Sequence, residues 1–315
     1  MNIGYDKALY LLPFDHRHSY VKNLFKLDPP LTAEQVARVC DSKQLIYEGF
    51  VAAIEKGVPR QAGGILVDEE FGADILRDAR RRGFVTALST EQSGSDEFEF
   101  EYGADFAHHI ESFDPTFAKA LVRFNVEGDE ALNQRQAGRL KQLSEHCQRS
   151  RRRFMFELLV PATEAQLQRL DADKDAYDRD LRPTLMQEAI RQLQAAGVEP
   201  DVWKVEGLAQ RSDCQRIVAA ARCDGRDTVG CIVLGRGADA AQVRHWLSTA
   251  AGVPGFIGFA VGRTTFWDAL VGWQAQTNTR AEAVIQIADR LLDWVDTFER
   301  ARAVNANDAL TEATP

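Results

Sequence analysis

The sequence predicts a single-domain (β/α)8 TIM barrel of the α/β class, with an extra C-terminal helix, and three observations carry that prediction. Short apolar runs alternate with longer amphipathic ones from end to end, eight of the short runs occur, and no GxGxxG loop of a doubly wound dinucleotide-binding sheet follows the first. Strand–helix–strand repetition implies parallel strands joined by crossovers. Runs that are apolar on both faces suit a sheet covered by helices.

The candidate strands are residues 8–14 (ALYLLPF), 64–67 (GILV), 84–88 (FVTAL), 119–124 (KALVRF), 154–159 (FMFELL), 201–205 (DVWKV), 229–234 (VGCIVL) and 255–261 (GFIGFAV). Between the first two, residues 32–56 keep helical spacing through Val36, Val39, Cys40, Ile46, Tyr47, Phe50, Val51 and Ile54. Thr32 with Gln35 reads as a capping box there, and Gly57 as a left-handed C-terminal residue. Ser212 with Gln215 suggests a second box before the helix that runs toward Cys223. Residues 89–117 read as a long loop or irregular insertion. After the eighth strand, residues 281–304 hold a last amphipathic helix on Ile285, Ile287, Leu291, Leu292, Trp294, Val295 and Phe298. The expected division is a barrel over residues 1–304 and a polar tail over 305–315.

Composition bounds the function. With 315 residues, 45% hydrophobic and 27% charged, the chain can bury a large core. A formal charge of −9 argues against nucleic acid and anionic membranes as general partners, which need a positive face. Five widely spaced cysteines without a CxxC, no signal-peptide pattern and no long apolar run point to a reduced, cytoplasmic protein. Of the 38 basic residues only nine are Lys, so a lysine inside an apolar strand asks for a reason.

Barrel enzymes place reactive groups at the C-terminal ends of strands. Lys204 lies in DVWKVEG with Val202 and Glu206 on its face. Burial favours a neutral amine, the form that attacks a carbonyl to make a Schiff base, although a purely structural pair with Glu206 or another carboxylate would also account for it. Lys119 begins KALVRFN, either as a solvated first residue or as an interior cation beside Lys204. Glu157 interrupts FMFELL and must be paired or act as general acid and base. Asp15 ends the first strand in LLPFDHRHSY, where Arg17 is a candidate for an anionic substrate group. His16, His18, His108 and His109 raise the question of a metal, but nothing fixes them as a three-ligand set, and no metal enters the reading. Gly235, Arg236 and Gly237 after the seventh strand, and Gly262 and Arg263 after the eighth, stand where barrels often bind phosphate.

The segments LLPFDHR, LVDEEFG, EFEFEYG, FMFELLVPAT, PDVWKVEG, VLGRGAD and GFIGFAVGRTTFW span nearly the whole chain. Together they resemble the aldolase-type domain found fused to 5-dehydro-2-deoxygluconokinases of inositol catabolism, itself similar to class I tagatose-bisphosphate aldolases. The resemblance implies a Schiff-base lysine at Lys204, a second lysine at Lys119, a catalytic glutamate at Glu157 and an aspartate at Asp15. It implies no cofactor, a phosphorylated sugar as the small-molecule partner, and cleavage of 2-deoxy-5-keto-gluconate 6-phosphate to dihydroxyacetone phosphate and malonate semialdehyde. Tagatose bisphosphate or another ketose phosphate is the alternative substrate, and a non-catalytic phosphosugar-binding protein the alternative role; a homo-oligomer is compatible with each. The family pattern has glycine where His18 stands and lysine where Gln92 stands. The first strand begins near residue 8, so a kinase is expected on a separate chain.

Overall fold

In the computed structural model, which describes residues 3–312 and their side chains through residue 304, eight parallel strands close into one barrel in sequence order. They are β1 (Leu9–Pro13), β2 (Gly63–Val67), β3 (Val85–Ser89), β4 (Phe117–Arg123), β5 (Arg153–Leu159), β6 (Val202–Glu206), β7 (Gly230–Leu234) and β8 (Phe256–Ala260). Each pairs with the next, and β8 returns to β1. All eight expected strands are present. The fourth starts two residues earlier than expected, which makes Lys119 its third residue, fully buried rather than solvated.

The helices form the outer layer. In chain order they are α1 (His18–Tyr20), α2 (Ala33–Lys56), α3 (Glu69–Arg81), α4 (Phe106–Phe113), α5 (Glu130–Ser150), α6 (Glu164–Arg169), α7 (Lys174–Ala176), α8 (Arg182–Ala195), α9 (Arg211–Ala221), α10 (Ala240–Ala251), α11 (Arg263–Gln274) and α12 (Arg280–Glu312). Thr32 and Gln35 make the expected capping box of α2, and Gly57 closes that helix at φ 126°. The second expected box is absent: α9 already begins at Arg211 with no side-chain cap, so Ser212 lies inside the helix. A box that the sequence reading missed, Thr163 with Gln166, starts α6. The presumed loop over residues 89–117 contains α4 and a one-rung bridge from Glu91 to Phe100. Helix α12 packs on α2, α10 and α11, with Trp294 and Phe298 buried and Ile285 outside. Of the expected tail, the backbone through Glu312 belongs to this helix, and residues 313–315 lie outside the described residues.

The apolar core divides at the sheet. Leu9, Leu11, Phe117, Met155, Val202 and Ile232 pack inside the barrel, and a larger cluster fills the space between strands and helices. The N-terminal segment closes the floor. Gly4 donates its N–H to Asp201 Oδ1 at 2.9 Å, and the Tyr5 ring meets Phe117 edge-on, 5.2 Å between centroids. With the floor closed, polar side chains on the interior face can meet a ligand only at the C-terminal mouth. No helix among the described residues is long and apolar enough to cross a membrane.

Candidate active site

Above the apolar floor the interior face changes character. Period two points Phe117, Lys119, Leu121 and Arg123 of β4 inward, and Met155 with Glu157 on β5. The register sets Glu157 beside Lys204 of β6. Their side chains converge: Lys204 Nζ lies 2.7 Å from Glu157 Oε1, and Lys119 Nζ 2.9 Å from Glu157 Oε2. One carboxylate therefore bridges the two lysines. Lys119 also contacts Asp15 Oδ2 at 2.7 Å and Glu91 Oε1 at 2.6 Å. Both lysines are buried.

Of the carboxylates open from sequence as partners of Lys204, Glu157 takes that place and Glu206 does not. Glu206 accepts the Val160 N–H at 2.8 Å and pairs with Arg236 at 3.0 Å and Arg182 at 3.6 Å. Glu91 was not anticipated at all. It lies two residues beyond β3, and the bridge to Phe100 folds its loop back over the mouth.

Charge within the cluster is set by a contest between burial and pairing. Burial opposes the charged form of Lys119, but Asp15, Glu157 and Glu91 outweigh it and hold its pKa well above the usual lysine value. Burial likewise opposes ionisation of Asp15, yet Lys119, Lys204 and His16 hold that carboxyl far below its ordinary range. Glu157 is lowered in the same way by Lys119 and Lys204. At Glu91 burial wins and the pKa rises, so it is the first of the three acids to take a proton. Burial, reinforced by Arg263 and Lys204, lowers His16 to about 4, which keeps it neutral near pH 7. Its Nδ1 is buried without a hydrogen-bond partner.

These shifts set a pH dependence. The stability contributed by Asp15 and Glu157, both depressed, is present above their unfolded values near pH 4 and lost as the pH falls; Glu91, raised, opposes them but stands alone. Thermal melts are expected to show a flat melting temperature from about pH 7 to 8, a decline that begins below about pH 6.5, where His16 takes up a proton in the unfolded chain but not in the folded one, and a steeper fall below about pH 4.5. In an Asp15→Asn variant the acid limb of that profile should be shallower.

Two cavities open at the mouth and share His16 and Ser19. One, of about 220 Å³, is bordered by Asp15, Glu157, Lys204, Arg17 and Arg123. His18 and Gln92, the two departures from the family pattern, border it too. The other, of about 480 Å³, is bordered by Gly237, Ala238, Arg263 and Thr264. Here the first turn of α11, capped by no side chain, offers backbone N–H groups. Gly237 has φ 72°, and a Cβ there would overlap the Arg263 guanidinium. A Cβ at Gly262 would strike the Pro13 carbonyl, so only glycine lets this turn pass against the end of β1.

The other candidates sit near the mouth with their side chains engaged. Gly235 donates its N–H to the Ala260 carbonyl at 3.3 Å and supports the turn. The Arg236 guanidinium is taken by Glu206 and by Asp178 at 2.6 Å, so it points away from the larger cavity. Arg17 is taken by Glu101 at 2.7 Å and by the Glu91 carbonyl. That leaves Arg263, whose one hydrogen-bond partner among the described residues is the Arg236 carbonyl at 3.3 Å, and Arg290, which lies over the Trp294 ring, as cations with charge to offer on the larger cavity. His109 lies elsewhere, held by Glu69 at 2.8 Å and stacked on Tyr102.

Comparison with known proteins agrees with this architecture. Among solved structures, the chain is similar to fructose-bisphosphate aldolase from Plasmodium falciparum, with a TM-score of 0.62 and 13% identity over 94% of this chain and 91% of that one. It is also similar to a Corynebacterium glutamicum protein, with a TM-score of 0.54 and 17% identity over 92% and 88% of the two chains. At such identities the likeness establishes the (β/α)8 barrel fold and nothing finer. No curated protein matches the sequence. A family model matches residues 4–302, nearly the entire barrel, and the chain therefore belongs to the DUF2090 family, described as an uncharacterized protein conserved in bacteria.

Proposed function

We propose that this protein is a class I aldolase that forms a Schiff base on Lys204 and cleaves a phosphorylated keto sugar or keto acid. The observation that carries the reading is the carboxylate of Glu157 held between two buried strand lysines at the open end of the barrel. A site that only binds phosphosugars has no need of this costly arrangement, in a chain that otherwise uses arginine.

Lys204 gives a proton to Glu157 and adds to the substrate ketone; the carbinolamine loses water and leaves an iminium. Glu157, a carboxylate again once it has given its proton to the departing water, takes the proton of the hydroxyl on the far carbon of the bond to be cleaved. The electron pair of that bond moves to the iminium nitrogen, an aldehyde departs, and an enamine stays on the enzyme. Protonation of the enamine and hydrolysis of the iminium release the second product and restore Lys204. Lys119, held charged by its three acids, fixes the second oxygen of Glu157, and Asp15 fixes Lys119. The turn at Gly237, Arg263 and the start of α11 hold the phosphate. The preferred substrate is 2-deoxy-5-keto-gluconate 6-phosphate, which yields dihydroxyacetone phosphate and malonate semialdehyde.

Incubation with dihydroxyacetone phosphate and borohydride, followed by peptide mass spectrometry, is expected to find the reduced adduct on Lys204. Turnover with Lys204 unmodified would sink the mechanism, and loss of that turnover to a chelator would redirect it to a metal. Ligand binding with neither adduct nor turnover would leave a binding protein.

A further inference from the structure

We propose that His16 is a catalytic residue of this site, an imidazole that donates a hydrogen bond to the substrate's ketone oxygen while Lys204 adds to the ketone carbon. The inference rests on the aldolase reading and deepens it. His16 follows Asp15 just beyond β1 and borders both cavities at the mouth, the one bordered by Glu157 and Lys204 and the one bordered by Gly237 and Arg263. A substrate with its ketone at Lys204 and its phosphate at the Gly237 turn passes this ring.

The ring is fixed in place and has no partner of its own. The His16 carbonyl accepts from Lys43 Nζ at 3.1 Å, and Lys43 is fully buried in a pair with Asp68, so the backbone that carries the ring is anchored in the packed interior. Neither ring nitrogen has a hydrogen-bond partner among the described residues, and Nδ1 is enclosed by protein atoms. An enclosed N–H without an acceptor costs more than an enclosed lone pair. The ring proton therefore belongs on Nε2, the nitrogen left to meet a ligand. The other donors nearby are less suited. Ser19, which the two cavities also share, is exposed and has water as a partner, and Lys119 is taken by three carboxylates.

Burial, with Arg263 and Lys204, holds the ring neutral near pH 7. A neutral imidazole in this place is a donor that keeps its proton. It stabilises the negative charge that gathers on the oxygen as the amine adds, and it leaves proton transfer to Glu157. The balance of the step is unaltered: Glu157 takes the proton of Lys204 and returns it to the departing water, and the Nε2–H bond of His16 stays intact throughout.

The test reads imine formation without cleavage. The full-length protein is mixed rapidly with dihydroxyacetone phosphate or with hydroxyacetone phosphate, which lacks the hydroxyl beside the ketone, quenched with borohydride at successive times and weighed by mass spectrometry. His16→Leu is expected to slow the appearance of the Lys204 adduct by about 10²–10³-fold with both ketones, the scale of removing one donor from a developing oxyanion. Calorimetric affinity for dihydroxyacetone phosphate and the melting temperature near pH 7 should hardly move. His16→Gln, which can return an N–H to the place of Nε2, should recover most of the rate. An unaltered rate in His16→Leu would overturn the proposal. So would a loss confined to dihydroxyacetone phosphate, which would move the hydrogen bond to the hydroxyl, or an equal loss in both variants with weakened affinity, which would make His16 a structural residue. Failure of wild type itself to form an adduct would instead strike the aldolase reading, and this proposal with it.

Discussion

Lys204→Met is expected to abolish borohydride trapping and to lower cleavage by on the order of 10⁴–10⁶-fold, the scale of loss when a covalent nucleophile is removed from a site that acts as a unit. The side chain is only 3% exposed and enclosed by strands, so methionine fills nearly the same volume without the amine. Glu157 keeps Lys119 at 2.9 Å and is not left as an unpaired buried charge. The variant should therefore fold, with circular dichroism unchanged, and the loss can be read as chemistry. Glu157→Gln is the contrasting case. It leaves both amines in place but removes the base, so a reduction of about 10²–10⁴-fold in kcat is expected while a slow adduct on Lys204 still forms. If Lys204→Met kept a tenth of wild-type cleavage, imine formation at this residue could not be the mechanism.

The largest effect on stability is expected from a different lysine. Lys43, in the middle of α2, is completely buried, lies over the rings of Tyr20 and Phe71 at 5.5 and 5.4 Å, and pairs with the equally buried Asp68. Its Nζ also donates to the His16 carbonyl at 3.1 Å, and Asp68 accepts the Phe71 N–H at 2.8 Å as the cap of α3. Lys43→Met would leave a buried carboxylate uncompensated, at a cost of about 3–5 kcal/mol. For a domain of this size that corresponds to a fall of roughly 10 °C in melting temperature, measurable by calorimetry. The double variant Lys43→Met, Asp68→Asn removes the stranded charge and keeps a capping group, so it should recover much of the loss. Equal destabilisation of the single and double variants would show that the pair is not what holds this region.

Which residues could be found from sequence follows from how each is embedded. Lys204 and Glu157 stood out because a charge inside a short apolar strand has no other place to go, and the structure brings the two together. The surroundings of Lys119 were less legible, since the strand boundary that decides its burial depends on Phe117 packing into the floor. Glu91 hid in a polar stretch, where a single acid is unremarkable. It nonetheless continues the inward alternation of Val85, Ala87 and Ser89 past the end of β3, and that continuation was a usable signal. Lys43 offered another, since it falls with Val39, Ile46 and Phe50 on the apolar stripe of its helix. For Arg17 and Arg236 position was readable and availability was not. Their partners Glu101, Asp178 and Glu206 reach them only through the tertiary fold.

The residues around Lys119 also divide the molecule in a way that bears on how such an enzyme could be altered. Cut in thought between β4 and β5, the chain falls into two half-barrels. The C-terminal half holds Lys204, Glu157 and the glycine turns beside α11; the N-terminal half holds Arg17, Glu91, Arg123 and Lys119, the last already matched by Asp15 and Glu91 of its own half. Within the lysine cluster, one contact crosses that seam, from Lys119 to Glu157. Under the proposed function, the Schiff-base lysine, its glutamate and the turns offered to the phosphate belong to one half. Under that reading, a chimera that keeps residues from β5 onward and takes its first four strands from a relative is expected to keep the reaction, provided the donor half supplies a lysine at the seam.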